Sequence, residues 1–291
     1  MENSKIIVLT GATNGLGNIV AKELVRESSH LILTARNAKK AEETKNILKN
    51  ISPNTKVDFF FGDLSIMKDV KRIGEEIRNK YPKIDVLINN AGLHAFEQRI
   101  TEEGFSEMIA VNYLAPFILT NTLLSSLMNS KDGRIVNVAS EASRNHGTLI
   151  LPNDLTETSD FNSSGSSKLY GKTKLLDIIF TFGLSDRLIG TNITSNALNP
   201  GFNVTGLGRE LKFSSVLEKI LNLFHIGDPR KGAEIIIRLA IGSEFSGKTG
   251  GYFNVGSGNP INPIYPAMDK DIQNKLWNYT EDLLKSKGLL N

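Results

Sequence analysis

The chain has no cysteine among its 291 residues. This absence excludes disulfides, thiolate zinc sites and a cysteine nucleophile, and it is typical of proteins from a reducing compartment. Histidine is also scarce, and the four residues lie far apart in the sequence, without the spacing of metal ligands: His30, His94, His146 and His225. We therefore expect no metal site.

Strong charge and long apolar runs are missing as well. The net charge is +3, and the 34 basic residues are spread along the whole chain, which argues against a nucleic-acid partner. The apolar run at residues 6–9 is far too short for a signal peptide or a membrane span, and no other stretch approaches 18 uncharged apolar residues. These features predict a soluble, cytoplasmic protein without a membrane span.

Strand and helix patterns alternate along the chain, and this alternation is typical of parallel βαβ units. It predicts one doubly wound α/β domain over residues 1–291, because no repeat or linker divides the sequence. The predicted strands are 5–10, 31–35, 56–61, 84–89, 134–139, 192–198 and 251–255. The predicted helices are 15–28, 37–50, 66–80, 102–128, one from Tyr170 to about 189, 228–242 and one around 276–277, with an extended loop over 141–166.

A glycine-rich turn follows the first predicted strand and opens a helix. Glycines are needed where a backbone turns tightly or approaches a pyrophosphate, and a helix N-terminus favours phosphate. The spacing differs from Gly-x-Gly-x-x-Gly, and a turn without a ligand is the alternative. The pattern favours a dinucleotide site that includes Gly11, Thr13, Asn14, Gly15, Leu16 and Gly17.

The end of the second predicted strand bears on the choice of cofactor. An acidic residue there would bind the ribose 2′-hydroxyl of NAD, but this chain has Arg36. A guanidinium can pair with a 2′-phosphate and stack on adenine, and no carboxylate is expected there to repel the phosphate. Arg36 therefore predicts NADP, with NADPH preferred over NADH. A solvated loop cation is the alternative.

Tyr170 and Lys174 are the most informative pair in the chain. Residues at i and i+4 share one helix face, so the ammonium can lie near the phenol. A free tyrosine has a pKa near ~10, and a nearby positive charge favours the phenolate and moves the pKa toward neutrality. Of the six tyrosines, only Tyr170 has a lysine four places on. A surface helix pair is the alternative reading.

Together these residues resemble the short-chain dehydrogenase/reductase family, in its compact single-domain branch, across essentially the whole chain. The resemblance implies a Rossmann-type fold with a mostly parallel seven-stranded sheet flanked by helices. Segments 111–117, 170–175, 250–253 and 276–277 are similar to the retinol dehydrogenase and WW-domain oxidoreductase group. The matching family motifs are Thr10-Gly11-x-x-x-Gly15-x-Gly17, Asp63-Leu64, Asn89-Asn90-Ala91-Gly92, Asn112, Ser140, Tyr170-x-x-x-Lys174 and Asn199-Pro200-Gly201.

The resemblance also implies a role for each matching residue. Tyr170 would exchange a proton with the substrate oxygen, and Lys174 would lower the phenol's pKa and bind the nicotinamide ribose. Ser140 would hydrogen-bond the reacting oxygen, and Asn112 would hold a water for proton return. The other implied cofactor contacts are Asp63, Leu64, Asn90, Ala91, Gly92, Pro200, Gly201 and Thr205. Structural alternatives are a strand end for Ser140, a helix-turn cap for Asn112 and a helix N-cap for Asp63.

The expected activity is NADP(H)-dependent hydride transfer between nicotinamide and a carbonyl or alcohol. The apolar residues of segment 202–226 predict a lid over a largely apolar ketone or aldehyde, or a packed interface. One alternative is a reductase of a biosynthetic intermediate, possibly carrier-bound. Another is a catalytically silent NADP-binding regulator. The family implies a possible homodimer or homotetramer.

Overall fold

A parallel sheet forms the centre of the protein, as a computed structural model of residues 5–201 and 228–290 shows. Across these residues seven strands pair in the order β3-β2-β1-β4-β5-β6-β7, and every neighbouring pair is parallel. The strands are β1 Lys5–Leu9, β2 Ser28–Ala35, β3 Lys56–Phe61, β4 Val86–Asn89, β5 Gly133–Val138, β6 Ile193–Asn199 and β7 Gly251–Asn254. This confirms the predicted fold class.

Helices cover both faces of the sheet, which explains why its central strands are apolar throughout. Successive residues of β1 point to opposite faces: Val8 lies in one core cluster, and Ile7 and Leu9 lie in the other. The helices are α1 Gly15–Glu27, α2 Ala38–Ile51, α3 Met67–Lys80, α4 Glu107–Met128, α5 Ser163–Arg187, α6 Pro229–Ile241 and α7 Lys270–Ser286. The cluster of Val8 contains side chains of α3, α4, α5 and α7, and the other contains side chains of α1, α2 and α6.

The long helix α4 lies in the core. By length and composition it could cross a membrane, but 78% of its apolar 18-residue stretch is buried inside the protein. Phe117 and Leu123 on this helix are fully buried in the core cluster. Its apolar character is therefore explained by packing against the sheet and its neighbouring helices.

Several predicted boundaries were wrong, and strand β2 begins at Ser28 rather than at 31. Helix α4 begins at Glu107 rather than 102, because the backbone N–H of Thr101 bonds to the carbonyl of Phe105 and closes a turn there (2.8 Å). The segment 141–166 is not an extended loop throughout: it contains short 3₁₀ turns at Glu141–Asn145 and Asn153–Leu155. Helix α5 also begins within it, at Ser163, because the side chain of Asn162 accepts the Gly165 N–H and caps the helix.

The topology predicts where a ligand binds. The connection after β1 runs to β2 on one side, whereas β4 pairs with β1 on the other side. In open parallel sheets, ligands bind beyond the carboxyl ends of the strands at such a switch point. The predicted lid, 202–226, lies outside the described residues.

Candidate active site

The turn after β1 has the geometry that its glycines predict. Gly11 and Gly15 have φ angles of +73° and +51°, in the left-handed region that favours glycine. A Cβ at Gly17 would lie 2.3 Å from the Gly11 carbonyl oxygen and 2.5 Å from Nδ2 of Asn90. Because real Cβ atoms do not approach so closely, Gly17 has to be glycine for the turn to fold against the helix.

The same turn is tied to the end of β4. The buried hydroxyl of Thr10 accepts hydrogen bonds from the backbone N–H groups of Asn90 (3.0 Å) and Ala91 (2.9 Å). The side chain of Asn90 donates in return to the Thr10 carbonyl (2.9 Å). The two cofactor motifs therefore form one surface at the switch point, and sequence reasoning did not identify Thr10 as the residue that joins them.

This surface suits a dinucleotide. Helix α1 begins at Gly15 directly behind the turn, and its N-cap Asn14 makes no side-chain capping bond. The first-turn N–H groups are thus free to meet an anion, and the first turn holds no acidic residue to repel one. Thr13 and Leu16 are half-buried beside this helix end, and Asn14 is exposed. The residues therefore fit a pyrophosphate.

Arg36 and Asp63 lie together at the carboxyl ends of β2 and β3. The Arg36 Nη1 is 3.6 Å from Oδ2 of Asp63, and the arginine side chain is 74% exposed. The expectation that no carboxylate lies near Arg36 was wrong, because the parallel pairing of β2 with β3 places Asp63 beside it. Asp63 also accepts bonds from the N–H and hydroxyl of Ser65, which forms the turn before α3. Leu64 packs half-buried on the core.

The motif after β4 leads from the cofactor surface to the catalytic pair. A Cβ placed on Gly92 would lie 3.4 Å from Oδ1 of Asn112 and 3.6 Å from Nζ of Lys174. Ala91 is half-buried and Gly92 is exposed at the surface of the cleft. A cofactor held by the glycine turn and this motif would therefore extend toward Lys174.

Tyr170 and Lys174 share a face of α5, as their spacing predicts. The Lys174 Nζ lies 6.0 Å from the centroid of the Tyr170 ring. It donates to the Val138 carbonyl (2.8 Å) and to Oδ2 of Asp177 (3.0 Å), and both members of this ion pair are buried. The lysine is thus held at the end of β5, beside the phenol.

The pKa of Tyr170 differs from the sequence prediction. Burial raises this pKa, and the negative charge of Asp177 raises it as well. The positive charge of Lys174 and a hydrogen bond with Ser140 lower it, but the net shift is upward. Lys174 therefore acts in the predicted direction, and the prediction of a lowered pKa was wrong because it left out burial and the carboxylate.

The Lys174–Asp177 pair is strongly coupled. Burial raises the pKa of Asp177 to about 6, against the lowering effect of the adjacent ammonium. Burial lowers the pKa of Lys174, but the charges of Asp177 and Tyr170 and the hydrogen bond to Asp177 together outweigh burial, so the net shift is upward. Both partners are therefore charged at neutral pH.

Asn112 lies in a π-helical segment of α4, Ala110–Leu114. Its amide accepts from the Leu93 N–H (2.8 Å) and donates to the Leu93 carbonyl and to the Thr173 hydroxyl (both 2.9 Å). These bonds hold the loop after β4 against α5, next to the catalytic pair. Such π segments frequently occur at functional sites. The predicted role of Asn112 in holding a water stays a prediction.

Ser140 combines a structural bond with proximity to Tyr170. Its hydroxyl accepts the Ala142 N–H (3.1 Å) and so caps the 3₁₀ turn that follows β5. The Ser140 hydroxyl also lowers the pKa of Tyr170, which places the predicted substrate contact near the phenol. The turn packs directly on α5, because a Cβ on Gly171 would lie 2.5 Å from the Ala142 carbonyl oxygen.

The turn after β6 lies at the carboxyl edge of the sheet, next to the turn after β5. Gly201 has a φ of +76°, and its N–H donates to Oδ1 of Asn199 (3.2 Å). The same oxygen accepts the Glu141 N–H (3.3 Å), so Pro200 and Gly201 lie beside the turn that carries Ser140. The predicted contact Thr205 lies outside the described residues.

Sequence reasoning missed three residues around Tyr170. The His94 ring stacks on the Tyr170 ring, with centroids 4.6 Å apart and planes at 16°. Gly171 permits the close approach of the 3₁₀ turn, and Asp177 pairs with Lys174. Asp177 did carry a sequence signal: it lies seven residues after Tyr170, within an otherwise apolar run from 175 to 180.

No group of three His, Asp or Glu residues that could bind a metal occurs in the parts of the chain that the structure describes. The side chains gathered at the carboxyl edge are instead suited to proton transfer. They comprise a phenol, an ammonium and a hydroxyl next to a surface for an anionic dinucleotide.

Comparison with known proteins agrees with this geometry. The family model described as short chain dehydrogenase matches residues 5–151. Human retinol dehydrogenase 14 is 33% identical over 100% of this chain and 88% of its own length, and human polyprenol dehydrogenase is 30% identical over 94% and 83%. The crystal structure of an uncharacterised protein from Mycobacterium paratuberculosis superposes with a TM-score of 0.72 at 26% identity, covering 97% of this chain and 93% of the other.

Proposed function

The chain belongs to the short-chain dehydrogenase family of NAD(P)-dependent oxidoreductases, and from this premise we propose that it transfers hydride between NADP(H) and a largely apolar carbonyl or alcohol substrate. One observation carries the proposal: the phenol of Tyr170, the ammonium of Lys174 and the glycine-rich surface meet at one edge of the sheet. A protein that only bound the cofactor would not need the first two.

In the proposed reaction, the protein positions groups and moves a proton. A bound nicotinamide cofactor supplies or accepts the hydride. Tyr170 donates its hydroxyl proton to the substrate carbonyl oxygen in reduction, and takes that proton back in alcohol oxidation. Ser140 donates a hydrogen bond to the same oxygen and stabilises the charge that develops on it. Lys174 stabilises the phenolate that remains on Tyr170.

The proposed substrate is an apolar alcohol or the corresponding aldehyde or ketone. The names of two relatives, retinol dehydrogenase and polyprenol dehydrogenase, denote largely apolar alcohols. The His94 ring beside Tyr170 also contacts the ring of Phe96, with centroids 4.6 Å apart. These aromatic rings give the entrance next to the phenol an apolar wall.

Arg36 is the proposed basis of a preference for NADPH. Among residues 5–201 and 228–290, the carboxylate beside its exposed guanidinium is Asp63 at 3.6 Å, and that contact is long enough for a phosphate to compete with it. We expect Arg36→Leu to weaken NADPH use by about tenfold or more, the effect of about 1.4 kcal/mol, and to leave NADH use nearly unchanged. The ratio of kcat/KM for the two cofactors measures this. Equal losses with both cofactors would contradict the assignment.

The activity itself is tested with a panel of retinoid, polyprenyl and aliphatic aldehydes and alcohols, supplied with each nicotinamide cofactor. Gly17→Ala should weaken NADPH binding by about tenfold or more, because its Cβ would overlap the Gly11 carbonyl. Gly183→Ala is the matched control: its Cβ would have neighbours no closer than 3.5 Å, and we expect normal binding and turnover.

A second candidate is a catalytically silent NADP-binding regulator, and a third is a reductase of a biosynthetic, possibly carrier-bound, intermediate. Tight NADPH binding without turnover on the whole panel would contradict the first proposal. Turnover that requires a carrier-linked substrate would favour the third candidate. A cytoplasmic location and a homodimeric or homotetrameric assembly remain proposals with the function.

A further inference from the structure

Helix α5 carries three ionisable groups on one face in successive turns: Tyr170, Lys174 and Asp177. Their spacing of four and then three residues keeps them aligned along the helix. Asp177 is 3% exposed, and its neighbours in sequence are apolar core residues. A carboxylate in such surroundings is costly unless a cation pairs with it.

The cation that pairs with Asp177 is the catalytic lysine. The Lys174 Nζ donates to Oδ2 of Asp177 at 3.0 Å and to the Val138 carbonyl at 2.8 Å. Together these acceptors fix the ammonium at the end of β5. Buried ion pairs are weak contributors to stability, because well-packed apolar side chains often replace them without loss. Stability alone therefore does not explain the Lys174–Asp177 pair, and a role in the chemistry of the site does.

We propose that Asp177 is a positioning residue that holds the Lys174 ammonium at the Val138 carbonyl and offsets part of its charge toward Tyr170, so that a Tyr–Lys–Asp unit sets the pH range of catalysis. This inference rests on the proposed function, in which Tyr170 is the proton donor. Asp177 adds a negative charge to Tyr170 and Lys174, the pair that the sequence motif identifies. The direction of the Asp177 effect on the pKa of Tyr170, upward, is consistent with it.

Other ionisable groups near the unit come from several elements. The loop after β4 contributes His94, stacked on the phenol, and α4 contributes Tyr113, whose hydroxyl bonds to Thr280 (2.7 Å). Charged groups on the surrounding elements form three further pairs: Glu141 with Arg144, Asp154 with Lys172, and Asp186 with Lys270. Asp177 is the carboxylate that contacts Lys174.

The test is the pH dependence of kcat/KM for Asp177→Asn, which removes the charge and keeps the size. We expect the midpoint assigned to Tyr170 to move down by on the order of one pH unit, since a negative charge beside the pair is lost. Asp85→Asn is the matched control, because Asp85 is also buried but lies with Ser130 and Lys83 at the other end of the sheet. It should leave the midpoint in place.

A second measurement does not depend on turnover. Titration of tyrosinate absorbance in the substrate-free protein, taken as the difference from the matching Tyr170→Phe variant, reports Tyr170 alone. Asp177→Asn should lower this midpoint, and Asp177→Glu, which keeps the charge, should change it less. An unchanged or higher midpoint in Asp177→Asn would overturn the proposal.

The two proposals fail in different ways. Absence of turnover in the wild-type protein would count against the proposed function, while the tyrosinate titration would still decide the role of Asp177. If the Asn variant does not fold, Asp177→Ser makes the same charge change with a smaller side chain and is measured in its place. Its midpoint is expected to fall, and a midpoint equal to that of the wild type overturns the inference.

Discussion

Two clusters in this molecule contain a tyrosine, a lysine and an aspartate, and they lie at opposite ends of the sheet. One is the proposed catalytic unit of Tyr170, Lys174 and Asp177 at the carboxyl edge. The other, here called the amino-end cluster, consists of Tyr81, Lys80, Asp58 and His30. The same side-chain types thus occur in two different arrangements.

In the amino-end cluster the carboxylate binds the phenol directly. The Tyr81 hydroxyl donates to Oδ2 of Asp58, which also accepts from Lys80 Nζ at 2.9 Å and lies 3.0 Å from His30 Nε2. Burial and the bond to Asp58 raise the pKa of Tyr81 far above its ordinary value. Burial raises the pKa of Asp58, but the bonds from Lys80, Tyr81 and His30 outweigh it and hold that pKa well below its ordinary value.

In the catalytic unit the carboxylate binds the ammonium instead. Lys174 contacts Asp177, and the group near Tyr170 that lowers its pKa besides Lys174 is Ser140, which is neutral. A phenol that donates to a carboxylate cannot give its proton to a substrate without breaking a strong bond. The comparison teaches that the partner of each group, more than the composition of the cluster, decides whether a tyrosine can act in proton transfer.

The largest expected effect is on turnover, and it distinguishes the hydroxyl of Tyr170 from that of Tyr81. Tyr170→Phe should lower kcat by ~10²–10⁴-fold, the usual contribution of a positioned acid or base, and should leave NADPH binding in place. Tyr81→Phe should keep kcat within about twofold, because it lies at the other end of the sheet. Steady-state kinetics and cofactor titration measure both. Equal losses in the two variants would refute the assignment of Tyr170.

The next effect concerns stability. Lys174→Met leaves the buried Asp177 without a counter-ion at neutral pH and should cost ~3–5 kcal/mol of unfolding free energy. Lys80→Met removes a lysine whose side chain is 55% exposed and should cost no more than about 1 kcal/mol. Urea unfolding at pH 7 compares the two. A small loss for Lys174→Met would mean that Asp177 takes up a proton at little cost.

The smallest effect is the pH dependence of the amino-end cluster. Because the folded-state pKa of Asp58 is depressed, its ionised form stabilises the protein above its unfolded pKa, and this stability is lost as the pH falls. Asp58→Asn should therefore cost ~1–3 kcal/mol at pH 7, and the difference from the wild type should shrink below pH ~4. Unfolding curves at several pH values test this. A constant difference would contradict the ionic contribution.

Much of the fold could be predicted from the sequence, because patterns within short stretches of residues indicate each strand, helix and turn. The alternation of apolar runs with amphipathic segments identifies the strands, and the spacing of Gly11, Gly15 and Gly17 identifies the turn at their carboxyl edge. The helix period alone places Tyr170 beside Lys174. Boundaries that depend on single side-chain caps, such as Asn162 before α5, were missed.

The electrostatics of the site could not be predicted in the same way. The proximity of Asp63 to Arg36 depends on strand pairing between distant segments. The net upward shift of the Tyr170 pKa depends on burial, and burial is a property of the packed molecule. A sequence motif indicates which groups meet, and the folded surroundings determine how readily each one ionises.

Gly171 has a consequence for substrate selection. A Cβ at this position would lie 2.5 Å from the Ala142 carbonyl oxygen and 2.6 Å from that of Asn145, so the turn beside Ser140 packs directly on the helix that carries Tyr170. The spacing between the two hydroxyls is thus established by backbone contact before any substrate arrives. In the proposed reaction, this wall of the cleft would therefore favour substrates whose oxygen can reach both hydroxyls at that spacing.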